Sequence, residues 1–191
     1  MQATLISMAR RSRLARFALR LTEGRHGTAA VEFAMIALPF MALLMGIFEV
    51  GMIYLVSTSL ENATTDVARQ IRTGQLQTAG GATSTTFANS ICSELSWLGS
   101  SCSSNLFVDV RTFASFSTIT QTSPIQNGKV NTANLQFQIG TAGQVVLVRA
   151  YYQWTLIAPL LDGFSAQLSN GSTLLTATAA FQNEPYSSNG T

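Results

Sequence analysis

The chain has 191 residues, 47% of them hydrophobic and only 10% charged, with a formal net charge of +2. That length suits one domain plus a membrane segment, or two very small domains. The net positive charge belongs to the start of the chain, so the remainder lacks the basic surplus that nucleic acid requires, and two cysteines alone cannot build a structural zinc site.

The first element is a basic leader, residues 1–27. Arg10, Arg11, Arg13, Arg16, Arg20 and Arg25 stand there against a single acid, Glu23. By the positive-inside rule this end stays in the cytoplasm. An almost wholly apolar run follows from Phe33 to Val56, broken only by Glu49. At about 1.5 Å per residue it makes a helix of roughly 36 Å, enough for a hydrocarbon core of about 30 Å. A buried core helix of a soluble protein is the alternative, but such helices are seldom so apolar on every face. The run is too long for a secretory signal peptide, and no small-residue cleavage site follows promptly. Residues 28–57 therefore read as a transmembrane helix and residues 75–191 as a domain outside the cytoplasm. From Ser57 onward, Arg69, Arg72, Arg111, Lys129 and Arg149 stand against Glu61, Asp66, Glu94, Asp109, Asp162 and Glu184, leaving this part slightly negative.

After the span, Leu60, Ala63, Thr64, Val67, Ala68 and Ile71 recur at helical spacing and form one face. Glu61, Asp66, Arg69 and Arg72 lie opposite, and Gly74 suits a helix end. Residues 58–74 thus read as an amphipathic extension of the same helix; a break near Ser57–Ser59 is the alternative. The stretch 78–86 reads as a flexible link. In 87–98, Phe87, Ile91, Leu95 and Leu98 have helical spacing. In 105–113, Leu106, Val108 and Val110 alternate as in a strand. Residues 114–143 are polar and resist assignment beyond turns at Pro124 and Asn127–Gly128. The run 144–157 is a strong strand, with Val146, Val148, Ala150, Tyr152 and Trp154 on one face. The stretch 172–182 is a last strand, with helix as the alternative. The sum is an α+β arrangement: a long N-terminal helix whose outer half packs on a small antiparallel sheet.

Cys92 and Cys102 lie in the outer portion. In an oxidising compartment they would close a small loop worth about 2–4 kcal/mol; a pair of free thiols is the alternative. The only histidine, His26, sits in the leader, which leaves the outer domain no histidine-based nucleophilic site. No HExxH, P-loop or GxSxG sequence occurs. Asp109, Asp162 and Glu184 are far apart in sequence. Arg149 reads as outward or salt-bridged, and Tyr151, Tyr152 and Trp154 as core and sheet-face residues. No catalytic activity, cofactor or small-molecule substrate is expected.

The junction between leader and span reads "GTAAVEFAMIALPF", Gly27 to Phe40. If the chain is cut after Gly27, Thr28 becomes the first residue and Glu32 the fifth. A basic leader, a glycine and a glutamate at the head of an apolar helix resemble a type IV prepilin. The longer stretch "GTAAVEFAMIALPFMALLMGIFEVG" more closely resembles the TadE-like family, minor pseudopilins of the tight-adherence (Tad/Flp) pilus system. "LENATTDVARQIRTGQ" (60–75) resembles the segment after the span in that family. "TATAAFQNEPY" (176–186) resembles its closing strand, with Asn183–Glu184–Pro185 at the end and Gln182 where a basic residue is usual.

The resemblance implies a pilin-like outer domain and removal of the leader by a prepilin peptidase in the bacterial inner membrane. It further implies a single-pass product with its C-terminal domain in the periplasm, partnered by other Tad pilus subunits and pseudopilins. The role implied is assembly or initiation of a pilus for surface adhesion and biofilm formation. A single-span adhesin or receptor-like binding module, unrelated to pili, is the alternative. Gly27 lowers helix propensity and bares the backbone where a protease must act. The resemblance assigns Glu32 a neighbouring subunit's α-amine as partner; solvation in the headgroup zone is the alternative. Glu49 lies about 25 Å beyond Glu32 along the helix and about 100° around it. That position suits a solvated residue at the outer interface or a weak membrane partner contact. Ala30 with Ala34, and Ala42 with Gly46, have spacing that lets helices approach, and Pro39 would bend the helix.

Overall fold

The computed structural model describes residues 26–120, 122–157, 163 and 166–186. The arginine-rich leader up to Arg25 and Asp162 lie outside the described residues. The first element is helix α1, His26–Arg72, 47 residues long. It runs unbroken through Ser57–Ser59, so the span and its amphipathic extension are one helix. Pro39 lies inside it and forfeits one backbone hydrogen bond there. Gly74, at φ 77°, occupies the left-handed position that terminates many helices, and its N–H donates to the Ile71 carbonyl at 3.0 Å.

The chain divides into two units at Gly46–Ile47. In the first, the described part of α1 is exposed almost throughout. The second holds the rest of α1 and the α+β domain. Short helix α2, Gln75–Ala79, and helix α3, Ser84–Glu94, flank Gly80 and Gly81, both at positive φ. The stretch read as a flexible link thus contains the end of one helix and the start of the next. Thr83 caps α3 through a reciprocal pair of hydrogen bonds with Thr86, which satisfies donors that a helix start leaves open. Helix α4, Ser101–Asn105, leads into strand β1, Leu106–Phe113.

β1 pairs antiparallel with β4, Val145–Thr155, which pairs antiparallel with β5, Ser172–Gln182. The order β1-β4-β5 makes β4 the centre of the sheet. The helical alternative for 172–182 is thereby excluded. The unassigned stretch after β1 contains a small ribbon, β2 (Ile125–Gln126) with β3 (Lys129–Val130). Its turn is Asn127–Gly128, both at positive φ, as a tight hairpin demands.

One apolar core forms where α1 and α3 meet the sheet. Val56, Leu60, Ala63, Val67, Ala68 and Ile71 of α1 share it with Phe87 and Ile91 of α3 and with Val108, Val110, Val146, Val148 and Ala150. Each fully buried branched side chain of this kind stabilises by about 1.5–3 kcal/mol. The periodicity of residues 60–71 is therefore the seam along which α1 docks. β4 is buried on both faces from Val145 to Tyr152; the 114–143 segment bonds to Arg149 of β4 through Thr122 and to Arg111 and Asp109 of neighbouring β1 through Asn134 and Gln136. A continuous apolar run is what two-sided burial requires.

Candidate membrane and assembly segment

From Thr28 to Phe48, α1 is exposed except at Ala37, Ala42 and Gly46, which are half-buried. Phe33, Met35, Ile36, Leu38, Phe40, Leu43, Ile47 and Phe48 all point into the surroundings. At about 1.5 Å per residue, 28–48 extends roughly 31 Å, close to a hydrocarbon core of about 30 Å. The helix is long and apolar enough to cross a membrane by length and composition. Gly27 lies within α1. Thr28 and Glu32 are one turn apart and exposed, so both sit at the N-terminal end, where the helix dipole favours negative charge.

Glu49 departs from its sequence reading as a solvated or partner-facing residue. It is only 1% exposed. Its Oε1 accepts the Trp154 indole N–H at 3.0 Å, and its Oε2 accepts the Ile157 backbone N–H at 2.8 Å. A carboxylate in an apolar run needs donors when it leaves water, and the C-terminal end of β4 supplies them. Sequence reasoning treated Glu49 and Trp154 separately. The usable signal was an indole donor at the end of an apolar strand, with one acceptor in the preceding apolar helix.

The other end of the docked helix is held by the closing residues. Glu184 donates its backbone N–H to the Arg72 carbonyl at 2.9 Å, and its carboxylate pairs with the Arg72 guanidinium at 2.9 Å. The buried Asn183 amide donates to the Ile139 and Thr141 carbonyls at 3.0 and 3.1 Å. The ring of Tyr186 lies where a Cβ on Gly74 would stand, so this glycine is required by close approach as well as by φ. Burial raises the Tyr186 phenol above its ordinary value.

On the face of the sheet away from α1, Asp109 and Arg149 lie directly opposite each other. Both are buried and form an ion pair. Asp109 also accepts from Arg111 Nε at 2.9 Å and from the Gln136 N–H at 2.8 Å. Arg149 donates to the Thr122 carbonyl at 3.3 Å. Neighbouring Tyr151 has its phenol raised, first by burial; Arg149 opposes that shift and Asp109 adds to it. The sequence identified a salt-bridged Arg149 as one option but not its partner, which comes from a different strand.

Cys92 and Cys102 form a disulfide with Cα atoms 5.7 Å apart, and Cys102 is buried. It ties α3 to α4. Alkylation without prior reduction is expected to label neither cysteine, and Cys92→Ser is expected to cost about 2–4 kcal/mol in chemical unfolding. Two labelled thiols in the untreated protein would contradict this.

The geometry is that of a bare apolar helix, a glycine and glutamate at its head, and a domain clasped to its continuation. Residues 27–69 match the TadE-like protein family. The TadE-like segment covers the exposed stretch, Glu49 and most of the docking seam, while the sheet lies beyond it. No curated protein and no solved structure matches the chain. A TadE-like segment suggests a membrane-associated component of a Tad pilus.

Proposed function

We propose that this chain is a minor pseudopilin that takes part in assembling or initiating a Tad/Flp-type pilus for surface adhesion. In this reading a prepilin peptidase cuts after Gly27. Residues 28–48 hold the product in the inner membrane, and the α+β domain faces the periplasm, where it meets other pilus subunits. The observation that carries the reading is the exposed apolar stretch from Thr28 to Phe48 at the head of the TadE-like segment, with Glu32 near its start. The disulfide supports an oxidising compartment for the domain. Glu49 is the first deeply buried of the described residues of α1, and we take the hydrocarbon to end close to it in this reading.

Mass spectrometry of the mature protein is expected to give Thr28 as N-terminus, and deletion of the host's prepilin peptidase to restore the leader. Met1 at the start of functional protein would exclude processing. Glu32→Ala is expected to insert normally and to reduce piliation strongly, because the α-amine of a neighbouring subunit loses its carboxylate partner. Unchanged pili would mean that Glu32 is merely solvated in the headgroup zone.

A further inference from the structure

We infer that the C-terminal end of β4 is a second lipid-contact site, seated in the outer headgroup layer. This rests on the reading above, in which residues 28–48 cross the bilayer. Glu49 follows directly on that stretch and binds the backbone N–H of Ile157. Ile157 is thereby held beside the first deeply buried of the described residues of α1. Its side chain is nevertheless 52% exposed, although its neighbour Leu156 is buried. Nearby on α1, Val50 is 63% and Tyr54 73% exposed. Trp154 is partly buried and packs near Tyr152 while its indole N–H is bound by Glu49.

An exposed aliphatic side chain and a tryptophan held by Glu49, with an exposed tyrosine further along the same helix, match the composition of a membrane interface. Aromatic rings place an apolar body and a polar handle there. The occupant is lipid, because this surface is contiguous along the chain with the exposed stretch, its described residues Ile157, Trp154, Val50 and Tyr54 are uncharged, and the Glu49 carboxylate is buried.

The disulfide lets a single introduced cysteine be labelled selectively. Leu38→Cys and Ile157→Cys would each carry a polarity-sensitive fluorophore in the otherwise intact protein, reconstituted in phosphatidylethanolamine–phosphatidylglycerol vesicles. Nitroxide lipids labelled in the headgroup or deep in the acyl chain, and aqueous iodide, serve as quenchers. The Ile157 site is expected to be quenched several-fold more by headgroup nitroxide than by iodide, and the Leu38 site by the deep nitroxide. Iodide quenching at Ile157 with lipid quenching at Leu38 overturns the lipid contact and keeps the anchor. Shielding of Ile157 from every quencher assigns this surface to protein and likewise overturns it. Iodide quenching at Leu38 overturns the anchor and the inference together.

Discussion

Asp109→Ala is expected to destabilise the outer domain by about 3–5 kcal/mol, the usual consequence of stranding a buried charge. Asp109 is wholly buried, and it neutralises Arg149, itself only 5% exposed. The same carboxylate receives Arg111 and the Gln136 N–H. Its loss leaves a guanidinium in a dry sheet face and frees the segment that covers that face. Arg149→Met should cost less, since Arg111 and Gln136 still satisfy Asp109. The double variant should recover part of the loss, because two apolar groups facing each other have no charge to strand. Chemical unfolding in micelles, followed by tryptophan fluorescence, measures all three. Equal costs for the two single variants, with simple additivity in the double, would rule out the pair as the source.

Glu49→Ala is expected to cost about 2–4 kcal/mol, from two hydrogen bonds to a charged acceptor, each worth about 1.5–3 kcal/mol less the partial exposure of Trp154. It strands the Trp154 indole and the Ile157 backbone donor. Glu49→Gln keeps one acceptor oxygen and should fall between the two. Amide hydrogen exchange at Ile157 gives a local readout: its protection should fall in Glu49→Ala while that of Val148, at the sheet centre, falls only with global stability. Unchanged protection at Ile157 would show that the clasp contributes nothing.

The α+β arrangement was legible because it rests on short-range pattern. The spacing of Leu60, Ala63, Val67 and Ile71 marks a helix face, and the β-branched run 145–150 marks a buried strand. The polar segment 114–143 was not legible, because its structure comes from what it covers. Gln136 is placed by a hydrogen bond to Asp109 and by pairing with Val110, neither of which leaves periodicity behind. Glu49 was misread for the same reason: local context makes it an interruption in an apolar run, and only a donor 105 residues away makes it a buried acceptor. The junction at Gly27 and Glu32 was visible from residue order alone, and the role proposed for it rests on an enzyme and a neighbour outside this chain.

The two ties at opposite ends of the docked helix have a mechanical consequence. Glu49 binds the end of β4, and Arg72 binds the residues just after β5. A pull along the axis of α1 is therefore shared between both ties and the apolar seam between them. Loaded in shear, these contacts must yield together, whereas a single tie at one end would let the helix peel away turn by turn.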